Sequence, residues 1–223
     1  MKKIGVLLSG CGVKDGSEIH EAVLTLLAIA QQGAEAVCLA PDAEQSAVID
    51  HLSGLPMNEK RNMLVESARI ARGKIRNVRD VRASELDAVI LPGGYGAVLN
   101  LCSFGKDGPD CRVHPDVERL LQEMHRAGKP IGALCIAPAL VARVFQGKGL
   151  VMTIGSDGET KAALETLGQK HRDCGVDELC TDEKTSVVSV PAYMLGTTIA
   201  EIWPGIERLV NKVIQLTGEK DAL

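Results

Sequence analysis

Short, unbroken apolar runs alternate along this chain with longer segments whose apolar residues recur at helical spacing. That alternation narrows the possible folds more than any other feature. The runs at 4–9, 36–40, 88–91, 130–135, 150–154 and 186–190 place aliphatic and β-branched residues consecutively, the pattern of strands covered on both faces. Between the first two runs, Ile19, Ala22, Val23, Leu26, Leu27 and Ala30 fall on one helical face. Asp15 and Glu18 have the spacing of a capping box, and Gly33 supplies the stop. Further helices are expected at 59–72, 115–127, 138–145, 161–167 and 197–216. Strands alternating with helices predict an α/β fold, a three-layer α/β/α sandwich with a mostly parallel sheet.

The 223 residues read as a single domain over 1–223, without repeat or linker. The segment 102–115, rich in Gly, Asp and Cys, reads as an ordered surface loop. The eight Lys and Arg within 60–82 read as a solvated helix and connector. Residues 220–223 read as a frayed end. Aromatic residues are 2% of the chain and the net charge is −4, which argues against base-stacking platforms and a basic nucleic-acid face. No apolar run approaches the ~20 residues needed to cross a bilayer, and the short strand-like start reads as a mature cytoplasmic N-terminus rather than a signal peptide. Seven cysteines with no CxxC and no zinc-like Cys/His spacing point to a reducing compartment and to mostly packed thiols.

Two turns carry chemical information. In Lys129-Pro-Ile-Gly-Ala-Leu-Cys135-Ile-Ala-Pro138, a strand ends at the cysteine and Pro138 fits the first turn of a helix. Cys135 thus occupies a sharp strand-to-helix turn, similar to a nucleophile elbow, at the sheet edge where α/β proteins place ligands. A helix N-terminus there favours a thiolate, and the N–H of Ile136 is a candidate oxyanion donor. In Ala88-Val-Ile-Leu-Pro-Gly93-Gly94-Tyr-Gly96, a strand runs into a glycine turn. It makes Gly94 the second candidate donor and Gly93 part of the same substrate-binding loop. A proton shuttle is available from Glu21 or Glu18 in the first turns of the first helix. Glu21 is preferred because Glu18 already has a capping role and the Cβ of Glu21 leans toward the strand ends. Cys11 emerges from the first strand loop at the same edge, as a candidate resolving thiol or a small loop residue. Tyr193, between the last strand and last helix, is placed to shape the pocket rim or simply to pack. None of the histidines at 20, 51, 114, 125 and 171 has the spacing of a catalytic base. His171 in particular falls in a polar loop and is expected to be solvated.

The loop and helix Ser9-Gly-Cys-Gly-Val-Lys-Asp-Gly-Ser-Glu-Ile-His-Glu-Ala22, the turn Pro92-Gly-Gly-Tyr-Gly96, the Cys135 elbow and Pro191-Ala-Tyr-Met194 together resemble the ElbB glyoxalase-like family. Its members are also called enhancing lycopene biosynthesis or sigma cross-reacting proteins, within the ThiJ/PfpI superfamily. The resemblance spans essentially the whole chain. It implies a flavodoxin-like, class I glutamine amidotransferase-like sandwich and a homodimer. It also implies a weak glyoxalase, needing no cofactor, that converts glyoxal or another small 2-oxoaldehyde to a 2-hydroxy acid such as glycolate. The family nucleophile falls on Cys135 and the superfamily glutamate on Glu21. Many superfamily members follow the cysteine with histidine; here Ile136 stands there, which weakens any Cys-His-Glu triad. The expected chemistry is a Cys135 hemithioacetal with a helix-one glutamate as acid/base, without nicotinamide, glutathione or metal. A deglycase-type repair enzyme and a redox-sensing or partner-binding stress protein using an oxidisable Cys135 are the alternatives.

Overall fold

The computed structural model describes residues 1–219. The expected fray at 220–223 lies outside the described residues. Seven strands form one sheet: β1 (Lys3–Leu7), β2 (Glu35–Ala40), β3 (Ile75–Asn77), β4 (Ala88–Leu91), β5 (Ile131–Leu134), β8 (Cys180–Asp182) and β9 (Val187–Val190). Their order is β3-β2-β1-β4-β5-β9-β8. Every neighbouring pair is parallel except β8 with β9. The consecutive apolar residues of the runs are divided between two cores. Leu7, Val89, Leu91, Ile131 and Ala133 face one core, and Val6, Ala88, Ile90 and Leu134 face the other. Successive side chains of a strand point to opposite faces, so both faces need apolar cover.

The helices α5 (Pro115–Arg126) and α6 (Ala137–Val144) cover the first face through Leu120, Leu121, Met124, Leu140 and Val141. The helices α1 (Ile19–Gln31) and α8 (Ile199–Glu219) cover the second through Ala22, Ile29, Ile206, Leu209 and Val213. The expected α/β/α sandwich is therefore the observed one. The direction of winding reverses between β1 and β4, which leaves a crevice at their C-terminal ends.

Four local expectations are corrected. The run at 150–154 is not a strand of the main sheet. Only β6 (Val151–Met152) is extended, and it pairs with β7 (Lys170–His171) in a separate two-stranded ladder. Side chains of the main sheet intercept its backbone: Asp182 Oδ2 accepts the Val151 N–H at 2.8 Å and Ser189 Oγ accepts the Thr153 N–H at 2.9 Å. Asp15 does not cap α1. The loop folds back on itself through Gly12 N–H to Ser17 O, so the helix begins later and Glu18 caps it, accepting the Glu21 N–H at 2.7 Å. Asp15 instead accepts the Ile49 N–H. The segment 102–115 is not a bare loop: it holds α4 (Phe104–Asp107) and a 3-10 turn at Gly108–Asp110, closed at its base by pairing of Cys102 with Val113. In the basic stretch, α2 (Met63–Ile70) is shorter than expected, and Arg69 and Arg61 both reach Glu66.

Leu209 is fully buried and lies over Gly132 of the central strand β5, where even a methyl on the glycine would come within 2.9 Å of its Cδ2. Leu209→Ala is expected to lower unfolding stability by about 2–5 kcal/mol, read as a shift of the urea midpoint with unchanged slope.

Candidate functional site

The C-terminal ends of β1, β4 and β5 each deliver one part of the site. Cys135 directly follows β5 and holds φ at +58°, a left-handed conformation that is strained for a residue with a Cβ. Its N–H donates to Val190 O at 2.9 Å, and α6 begins two residues later. The strained turn lifts the thiol out of the strand line and aims it at the crevice. The side chain remains largely covered, with 8% of the residue exposed.

Glu21 comes from the first turn of α1 and has no exposed surface. Its Oε2 accepts the Gly93 N–H at 2.8 Å, its Oε1 accepts the Tyr193 N–H at 3.3 Å, and the Cys135 thiol donates to the carboxylate. Burial, and next the negative charge of Glu18, push the Glu21 pKa up to about 7 against these donors. Burial, and next the Glu21 charge, hold the Cys135 thiol well above its ordinary pKa, although the N–H groups of Gly94 and Ile136 both donate to its sulfur. The expectation of a resting thiolate at a helix N-terminus is thus corrected: desolvation and the neighbouring carboxylate outweigh the two backbone donors.

The glycine turn after β4 makes the close approach possible. A Cβ on Gly93 would lie 2.5 Å from Cys135 Cβ and 2.7 Å from Glu21 Oε2, nearer than real atoms pack. Gly94 sits at φ +91°, against the backbone of Gly16 and Glu18. Its N–H and that of Ile136, expected as donors to a substrate oxyanion, converge on the sulfur. Gly93 differs from its expected part, because its N–H is spent on Glu21 rather than offered to a ligand.

Cys135, Ile136, Gly94, Glu18 and Tyr193 open onto one cavity of about 950 Å³. Its outer walls come from places the sequence did not mark. One is the stretch from α3 (Tyr95–Leu99) through α4, contributing Tyr95, Phe104 and Lys106. The other is the start of α7 (Gly158–Thr166), contributing Glu159 and Thr160. Cys11 is corrected: it is not among the lining residues, and lies instead near Glu66, Arg69 and Asp15. His20, set aside as a base because adjacent helical side chains diverge, makes a contact elsewhere in the chain. The link is long-range, with its Nδ1 2.8 Å from Tyr193 Oη and 4.0 Å from Glu18 Oε1. His171, expected in solvent, has a buried side chain, and its Nε2 accepts the Ile154 N–H. Among the described residues no group of three or more His, Cys, Asp and Glu is placed to hold a metal ion.

The sign of the Glu21 contribution to stability follows from its raised pKa. The neutral carboxyl is the favoured folded form. Its contribution is complete below the free-glutamate pKa of about 4.3 and is lost as pH climbs through the folded value near 7, a loss of about 3 kcal/mol. Unfolding free energy measured from pH 4 to pH 8.5 is expected to fall more steeply in the wild type than in Glu21→Gln. Equal slopes would place the Glu21 pKa in the ordinary range.

No protein-family model matches the chain. It is 48% identical over 97% of its length to the mitochondrial ES1 protein homolog of Rattus norvegicus, covering 85% of that relative. It is 47% identical to the human mitochondrial glutamine amidotransferase-like class 1 domain-containing protein 3, covering 84% of it. Among solved structures, an isoprenoid biosynthesis protein with an amidotransferase-like domain from Ehrlichia chaffeensis superposes with a TM-score of 0.90 at 34% identity, over 97% of this chain and 99% of that one. A DJ-1 superfamily protein from Salmonella typhimurium shares the fold, with a TM-score of 0.58 at 20% identity over 100% of this chain and 97% of that one. The cytoplasmic placement read from the N-terminus is overturned by these relatives, whose names are mitochondrial.

Proposed function

The chain belongs to the family of the ES1 proteins and glutamine amidotransferase-like class 1 domain-containing protein 3, and from that premise we propose that it is a deglycase-type enzyme. It removes 2-oxoaldehyde carbons from amine adducts and releases them as 2-hydroxy acids, with free glyoxal as the minimal substrate. The carrying observation is the Cys135 thiol hydrogen-bonded to the Glu21 carboxylate under two converging N–H groups, beside a large cavity that Cys135 lines. About 950 Å³ is at the upper end of sites that enclose a drug-sized ligand, far more than a two-carbon aldehyde fills. It leaves room for the amine that bears the adduct. The Ehrlichia relative supports a narrower ElbB-like placement within the family.

The proposed reaction starts from the protonated thiol. The Glu21 carboxylate takes the Cys135 proton as sulfur bonds to the hemiaminal carbon, and the amine leaves with that proton. Free aldehyde gives the same hemithioacetal by addition. The N–H groups of Gly94 and Ile136, released from sulfur, stabilise the developing oxyanion. Glu21 then carries a proton from the sulfur-bearing carbon to its neighbour through an enediol. The first carbon is oxidised to a thioester while the second is reduced to a carbinol, so no outside electron acceptor enters. Water hydrolyses the thioester and restores the thiol. A pKa near 7 lets one carboxyl both accept and return the proton at neutral pH.

Release of the 2-hydroxy acid from methylglyoxal-treated Nα-acetyl-lysine, whose side-chain amine bears the adduct, tests this reading. Cys135→Ser is expected to abolish release, and Glu21→Gln to slow it by about 10²–10⁴-fold. Release that survives a fast aldehyde scavenger indicates direct action on the adduct. Release that stops with the scavenger limits the enzyme to free aldehyde. A wild-type rate in Cys135→Ser overturns both.

A further inference from the structure

Two cysteines outside the Cys135 site bracket the segment that forms one wall of the cavity. Cys102 pairs with Val113, while the Ser103 N–H donates to Arg112 O at 2.9 Å and the Arg112 N–H to Ser103 Oγ at 3.0 Å. These bonds close a narrow neck. Beyond it the chain makes α4 and the 3-10 turn, then returns at Cys111. Phe104, Gly105, Lys106, Gly108 and Pro109 of this excursion line the cavity, and neither cysteine does.

The two thiols are buried, and the Cys102 S–H is shared between Ala97 O, at 3.5 Å, and the Cys111 sulfur. Their environments are unequal. The bond from Cys102, assisted by the positive charge of Arg143, holds Cys111 below the ordinary thiol pKa, whereas the same bond and burial push Cys102 upward. Arg143 is anchored there, its Nε donating to Cys111 O at 2.6 Å. A polar cleft of about 240 Å³ lined by Arg112, Val113, Glu118 and Arg143 runs beside this neck.

We propose that Cys102 and Cys111 are an oxidisable dithiol that a peroxide converts to a disulfide, fixing the cavity wall between them. Cys111, the more acidic thiol, attacks the peroxide oxygen; the O–O bond breaks, one water leaves and a sulfenic acid remains. Cys102 attacks that sulfur, the S–S bond forms and a second water leaves. The two thiols lose two hydrogens and two electrons, and hydrogen peroxide is reduced to two waters. The product adds a covalent tie to the hydrogen bonds of the neck, next to Phe104 and Lys106. Cys135 takes no part, so the site does not depend on the proposed carbonyl chemistry.

The test uses the full reduced protein and a few equivalents of hydrogen peroxide at neutral pH. Remaining thiols are alkylated, and the protein is digested with trypsin without reductant and mapped by mass spectrometry. Lys106 lies between the two cysteines, so trypsin separates them. The expected product is a cross-linked pair of peptides joining Cys102 to Cys111, about 2 Da lighter than the two reduced peptides together and abolished by reductant. Recovery of both as alkylated thiols, or of either joined to another cysteine, overturns the proposal. The measurement needs no variant and no turnover assay.

Discussion

The Cys135 thiol meets the Glu21 carboxyl inside the protein, where the C-terminal ends of three adjacent parallel strands converge. Burying an ionisable carboxyl is unfavourable unless donors meet it, and here the donors are main-chain N–H groups of Gly93 and Tyr193. Those amides sit after β4 and after β9, so the position of Glu21 is defined by the sheet rather than by α1 alone. The same convergence explains the strain at Cys135. Its left-handed turn brings sulfur to the carboxyl, and the Val190 carbonyl at the end of β9 holds its N–H. Gly93 is the point where all these demands meet, because its missing side chain is the space that sulfur and carboxyl occupy.

Much of this was legible because it rests on local rules. Continuous apolar runs gave the central strands, and helical spacing gave α1 and α8. Strand–Cys–helix and strand–Gly–Gly patterns placed Cys135 and Gly94 at one edge. Glu21 was separated from Glu18 by the capping role of Glu18 and by Cβ direction, and in the structure Glu18 caps the helix while Glu21 reaches the sulfur. What escaped was decided by long-range partners. The run at 150–154 has strand character, yet Asp182 and Ser189 side chains take N–H groups that a sheet neighbour would have used. Asp15 has capping character, but a glycine loop displaces it from the helix start. The link from His20 to Tyr193 crosses most of the sequence, and no spacing announces it. The thiol's charge state was missed for a related reason. A helix N-terminus is visible in a sequence, but the depth of burial and a facing carboxylate are not.

Ile136 bears on how the family's fold is used here. Where a histidine would follow the cysteine, an apolar side chain does, and His20 stands at the rim with its Nδ1 engaged by Tyr193 rather than against the sulfur. The only titratable side chain hydrogen-bonded to Cys135 among the described residues is Glu21. Proton transfer in the proposed reaction therefore falls on a carboxyl whose pKa near 7 is itself a product of burial. Opening the cavity to water would lower that pKa and weaken the acid that the enediol step requires. The cavity walls thus contribute to reactivity as well as to substrate fit.

The same reasoning separates two kinds of thiol within one chain. Cys135 lies beside Glu21, and burial and that carboxylate raise its pKa. Cys111 faces a thiol donor with an arginine nearby, which favours the thiolate that attacks peroxide. Burial alone does not distinguish these cysteines, since both are covered. The sign of the charge beside each sulfur does: the Glu21 carboxylate helps to raise the Cys135 pKa, and Arg143 helps to lower that of Cys111.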